Sequence, residues 1–272
     1  MRPFIGLSFI ITFLFMAVLS TPAALDPNLI LYFSFDEQLD GRKVEDLTGG
    51  GNDGKLKLGA KLTNEPAEVY KGTGALKIFQ NISAQFLIES FREMDNYEDN
   101  TYTFQLYIFG VRNDVCCAVE SILKKAHVLE GNEKGNAPGI YLTDPGLSLV
   151  YRFDDQGAIE ADPAGPGGKG EPFELKTWYH IAGVKEAGAL IIYINGKQEA
   201  RYKVKRDFPQ GKGHLRIGGT RQRAASFLMD EFQLYNRALT AKEVALDAKG
   251  VFLSVEPQYK LSTTWARLKT GR

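Results

Sequence analysis

Cysteine is almost missing from this chain: there are two in 272 residues, and they are adjacent, Cys116-Cys117. A disulfide scaffold is therefore excluded, because a vicinal pair closes no useful loop and a chain of this size is held by a large core. The pair is either a strained vicinal disulfide of an oxidising compartment or contains a buried, inert thiol. No C-x-x-C spacing supports a redox role. Histidine is also scarce. His127, His180 and His214 are scattered without H-x-x-x-H or metal-triad spacing, and His180, following Trp178-Tyr179, reads as a structural histidine. Neither sign of charge is in excess, with 33 Lys and Arg against 33 Asp and Glu. No field gathers nucleic acid or an anionic membrane surface. Gly-x-Ser-x-Gly, P-loop and E-x-D-x-E patterns are absent, as is any internal repeat.

What is present begins with a short basic start, Met1-Arg2, an apolar run from Phe4 to Leu19, and small residues at Thr21-Pro22-Ala23. This reads as a secretory signal peptide over residues 1–24, against the alternative of an uncleaved anchor. The run is short for a spanning helix, which needs ~20 residues, and no second candidate follows. A secreted, extracellular or periplasmic protein with no membrane span after cleavage is expected. Asn81-Ile82-Ser83 is a glycosylation sequon, relevant only in a eukaryotic secretory host.

Strand signals fill the rest. Apolar or alternating runs occur at 29–35, 75–79, 85–88, 102–109, 121–124, 140–142, 147–153, 178–184, 189–194 and 197–204. Asn195-Gly196 is the strongest hairpin turn, since both central residues of a type I′ turn need positive φ. Gly49 to Gly54 is a tight loop, and residues 162–170, DPAGPGGKG, read as a loop without strand content. Short strands at even intervals mean a single two-sheet sandwich, a size that suits the ~200–250 residues such domains reach. The tail, 251–272, has no clear period; packing across the domain, a short helix and a link to a partner all remain open.

The most informative stretch is Phe227 to Asp247. Phe227, Met229, Phe232 and Leu234 are inward side chains of one strand whose alternation breaks once, at Asp230-Glu231. Buried acids must be paired or bound to a metal. Thr240 and Glu243 then form a capping box opening a helix over 241–249, closed by Gly250 and expected to cover a sheet edge.

The run Asp230 to Thr240, DEFQLYNRALT, resembles the closing signature of the laminin-G-like jelly-roll, or concanavalin A-like lectin/glucanase, family. Leu29 to Gly54 resembles its opening strand and Gly-rich hairpin, and Trp178 to Lys197 its central strand pair. The resemblance implies an all-β, two-sheet antiparallel jelly-roll sandwich over residues 25–250, with one short C-terminal helix. It also implies a structural calcium tying the first strand and loop to the last strand. The matching acids are Asp36, Asp46 and Asp230, a chemistry that suits a cation preferring several hard oxygen ligands. The alternative is that these acids cap turns or pair with Lys and Arg. The Leu47 to Asn52 run departs from the family's Ser-Gly-Asn, which weakens Asp46 as a ligand.

The same fold hosts glycoside hydrolases and lyases. Retaining or inverting hydrolysis needs carboxylates ~5–5.5 or ~6.5–9.5 Å apart. The adjacent pairs Asp154-Asp155 and Asp230-Glu231 are expected to point to opposite faces of a strand, so no catalytic residue is assigned and no enzyme is expected. Tyr97, Tyr141, Tyr151 and Tyr202 are sugar-stacking candidates by residue type alone, and no ligand residue is named. The expected function is binding of a glycan or an extracellular protein.

Overall fold

Seventeen strands and two helices follow one another among the described residues of the computed structural model, which are 25–36, 41–79, 84–95, 99–110, 119–125, 138–143, 148–153, 157–162, 165–166, 172–203, 212–219 and 225–251. The readings on residues 1–24, the sequon, Tyr97, Cys116-Cys117, His127, Asp154-Asp155 and the tail beyond 251 lie outside them. In chain order the strands are β1 (Leu29–Phe33), β2 (Lys43–Val44), β3 (Gly54–Lys57), β4 (Lys61–Thr63), β5 (Ala75–Ile78) and β6 (Gln85–Ile88). Next come helix α1 (Arg92–Asp95), β7 (Asn100–Gly110), β8 (Val119–Lys125), β9 (Gly139–Thr143), β10 (Leu149–Phe153), β11 (Gly157–Asp162) and β12 (Gly165–Pro166). The chain ends in β13 (Trp178–Glu186), β14 (Ala189–Ile194), β15 (Lys197–Lys203), β16 (Leu215–Gly218), β17 (Ser226–Tyr235) and helix α2 (Ala241–Asp247).

These strands make two antiparallel sheets, a concanavalin A-like jelly-roll sandwich. One sheet runs β15-β14-β13-β7-β17-β5-β4, with β1 also on β17; the other runs β12-β11-β10-β9-β8-β16-β6-β3-β2. Side chains of period two decide which face is inside. The row Leu106, Met229, Leu76, Leu62 is in register across β7, β17, β5 and β4 and lies in the core. Phe33 and Phe35 meet Phe86 of the other sheet edge-on, at 5.0 and 5.5 Å between ring centroids. Aromatic edge-to-face pairs of this kind add to simple burial.

The hairpin between β14 and β15 turns at Asn195 and Gly196, φ 50° and 78°, as the turn type requires. In β14 every residue is buried. Leu190, Ile192 and Ile194 face the core, while Ile191 and Tyr193 join Ala182, Val184, Leu239 and Val244 in a second apolar cluster. Helix α2 therefore covers the outer face of the first sheet rather than an edge, because that face is apolar where the helix lands. A further correction concerns residues 162–170. Gly165–Pro166 pairs with Ala161 and Asp162 at the edge of the second sheet, the kind of position to which proline in sheets is confined.

Candidate functional site

Strand β17 changes neighbours halfway along. Phe227 to Met229 pair with β5, and Phe232 to Tyr235 pair with β1. Between them the register against β7 shifts and Glu231 takes φ 51°, a bulge. The broken alternation seen in the sequence is this bulge. It leaves a gap that the loop before β5 fills, and the two acids hold that loop.

Asp230 is wholly buried, and its Oδ2 accepts from the backbone N–H groups of Tyr70 and Lys71, both at 3.1 Å. Its Oδ1 accepts from the Glu231 N–H at 2.8 Å. Burial pushes the carboxyl up to about 7, against the lowering effect of those amides. Glu231 pairs with Lys71 Nζ at 2.9 Å and accepts from the Tyr32 hydroxyl at 3.1 Å. Asp36 completes the hold: its Oδ1 accepts from Thr73 N at 2.5 Å and Gly74 N at 3.0 Å. Gly72 is required there, since its φ is 73° and a Cβ would stand 2.2 Å from an Asp36 oxygen.

On the outer face of the first sheet, β7 presents Thr103, Gln105, Tyr107 and Phe109 because Phe104, Leu106 and Ile108 point inward. Three zones result. One end lies under α2. In the middle is a buried polar row, His180, Gln105 and Asp230 in register, where His180 Nε2 meets Asp247 Oδ2 at 2.9 Å and Gln233 donates to Asp247 Oδ1 at 3.1 Å. His180 Nδ1 is buried without a partner. The space between this row, Tyr70 and Lys71 is about 10 Å³, room for roughly one water.

The third zone is open and aromatic. Trp178 and Tyr107 are cross-strand neighbours, with ring centroids 5.3 Å apart. Tyr70 adjoins Trp178 at 5.6 Å, Phe109 adjoins Tyr107 at 5.2 Å, and Phe79 adjoins Phe109 at 6.0 Å. Tyr70 is 39% and Phe79 57% exposed, and the other three rings are half-buried. Lys77 Nζ lies 5.3 Å from the Phe109 centroid and is paired with Glu68. Burial raises the Glu68 carboxyl, but Lys77 and Thr63 outweigh it and hold it below its usual range. A connected row of rings bordered by the ion pairs Lys77–Glu68 and Lys71–Glu231 offers apolar faces and polar donors side by side.

The sequence-derived metal residues do not converge. Asp36 and Asp230 both reach the 70–74 loop, whereas Asp46 serves its own turn, accepting from Tyr32 N at 3.3 Å and Thr48 Oγ1 at 2.8 Å. Its Oδ2 is buried without a partner. The three do not gather at one point: Asp36 and Asp230 accept from backbone amides of the 70–74 loop, and Asp46 accepts within its own turn. Among the described residues no group of three or more His, Cys, Asp or Glu side chains could hold a metal ion. The tyrosines picked by residue type also fail: Tyr141 and Tyr151 are core, and Tyr202 packs against it. The rings that do form the row had a signal in the sequence. Tyr107 and Phe109 alternate with inward residues, so they had to face outward.

Residues 124–245 match the family model of the concanavalin A-like lectin/glucanases superfamily, so the resemblance read from the sequence holds over that segment. No curated protein matches the chain. Among solved structures, a Trypanosoma rangeli sialidase is similar with TM-score 0.60 and 18% identity over 84% of this chain and 34% of that one. The binding domain of Paraclostridial Mosquitocidal Protein 1 matches with TM-score 0.60 and 16% identity, over 82% and 52%. The botulinum neurotoxin serotype D binding domain does so with TM-score 0.60 and 11% identity, again over 82% and 52%. This chain thus spans about a third of the sialidase and about half of the toxin domains.

The expectation that the chain is no enzyme is corrected. A sialidase shares its architecture, and the supporting argument fails on the geometry. Asp230 and Glu231 do not diverge to opposite faces, because the bulge turns both toward Lys71. At such identities the likeness carries the fold alone, and enzyme status stands open. Among the described residues no helix is long and apolar enough to cross a membrane.

Proposed function

We propose that this concanavalin A-like domain is a glycan-binding module acting outside the cytoplasm, with its ligand lying across the row Tyr70, Trp178, Tyr107, Phe109 and Phe79. The exposed row is the observation that carries the reading. Half-buried aromatics packed on a rigid sheet lose little conformational freedom on binding, and their faces suit the apolar C–H faces of sugar rings. The neighbouring ion pairs supply donors and acceptors for hydroxyls, the mixture small-ligand sites use. Similar architecture in two toxin binding domains supports recognition as the role. The open, elongated shape favours an oligosaccharide spanning several rings over a single sugar held in a pocket. The reading prefers a glycan to an extracellular protein because the row is narrow and bordered by charge.

The test is a printed panel of neutral and sialylated oligosaccharides probed with the wild-type chain and with Trp178→Ala. Retention of a sugar by the wild type, weakened at least tenfold in the variant with unchanged far-UV dichroism, is expected. Equal retention by both chains would remove the row as the site.

A further inference from the structure

The glycan row has a weak point in its construction. Trp178, Tyr107 and Phe109 are set by strand register, and Phe79 directly follows β5. Tyr70 instead comes from the loop between the short turn Pro66–Glu68 and β5. Its ring reaches Trp178 only if that loop is held against the sheet. We infer that Asp230 is a positioning residue for the glycan site, fixing the backbone of Tyr70 and Lys71 and so seating the Tyr70 ring at the end of the row. This rests on the glycan reading only for what the row binds, not for how it is built.

The geometry is specific. An acid interrupts the apolar run of β17 at the one place where its partner changes from β5 to β1, and there its carboxylate accepts from two successive loop amides. A buried carboxylate must be satisfied, and the loop supplies two of the three donors Asp230 uses. The loop is secured again on either side, by Glu231 on Lys71 Nζ and by Asp36 on Thr73 and Gly74. Of these acids only Asp230 grips the Tyr70 backbone itself. All three donors to the Asp230 carboxylate are backbone amides, two of them in the loop, so its influence on the site passes through the loop.

The experiment uses the full chain with Trp265→Phe, leaving Trp178 as the sole tryptophan. Amide hydrogen exchange at Tyr70 and Lys71 and Trp178 emission are compared in the parent, Asp230→Ala, Asp230→Asn and Tyr70→Ala. In Asp230→Ala both amides are expected to exchange at least tenfold faster while Leu106 and Met229 keep their protection. Trp178 emission should move as it does in Tyr70→Ala. Asp230→Asn, whose amide oxygen can still face the loop, should fall between parent and Ala. If Asp230→Ala does not fold, Asp230→Ser, which keeps one acceptor oxygen, takes its place. Unchanged exchange at Tyr70 and Lys71 would overturn the inference. So would lower global stability with Trp178 emission unmoved, the behaviour of an acid that is only structural. Neither readout uses a ligand, so a blank sugar panel would sink the glycan reading and leave this one decided separately.

Discussion

Arg237 shows how much one side chain of the closing signature does. Its guanidinium meets Asp26 Oδ2 at 2.5 Å and Glu243 Oε1 at 2.6 Å. It ties the start of the domain to α2 with planar, charge-assisted bonds. Burial alone would raise the Glu243 carboxyl, but Arg237 and the Thr240 N–H and hydroxyl hold it down at about 2. The sign follows from linkage: a depressed acid stabilises the fold above its unfolded value, near 4.5, and that contribution disappears as pH falls toward 2. Urea unfolding of wild type and Glu243→Gln should therefore show a stability gap at pH 6 that closes on approach to pH 2.5. A gap independent of pH would remove the carboxylate as its origin. The signature residues were legible as a family mark, while the Asp26 partner was not, because it lies over two hundred positions away and only the fold brings it near.

At the scale of elements, α2 is short, and Thr240 accepts from Glu243 N while Glu243 accepts from Thr240 N at 2.7 Å. A helix of this length has little intrinsic stability, so the cap and the packing of Val244 and Leu239 on the sheet sustain it. Thr240→Ala should cost about 1 kcal/mol in chemical denaturation, with Thr240→Asn costing less; equal loss in both would contradict the capping role. The capping box, the hairpin at Asn195-Gly196 and most long strands could be read in advance because each depends on local spacing. Strand β11 escaped notice, and so did β2, β3, β4, β12 and β16. The last five are short, and in a segment such as Gly54–Lys57 lysines fill the alternate exposed places. The face on which α2 lands was misjudged for a related reason, since both faces of β14 are apolar and periodicity alone cannot say which element covers which.

Across the whole molecule, the resemblance implies calcium where the first strand and its loop meet the last strand. Here Asp230 and Asp36 accept instead from backbone amides of the 70–74 loop. Melting curves of the chain in calcium and in chelator are thus expected to coincide, with Asp230→Ala lowering both equally. A calcium-dependent rise that Asp230→Ala abolishes would instead place a cation at the junction.

By itself the sequence determined the sandwich, its hairpin, its capped helix and the odd placement of two acids in an apolar strand. Those features follow from side-chain period and from turn and cap chemistry that acts within a few residues. Only the tertiary structure decided what the acids hold, which face α2 covers and which aromatics stand together. Tyr70, Phe79, Tyr107, Phe109 and Trp178 come from well-separated parts of the chain, and strand order and register, together with the loop that Asp230 holds, make them neighbours.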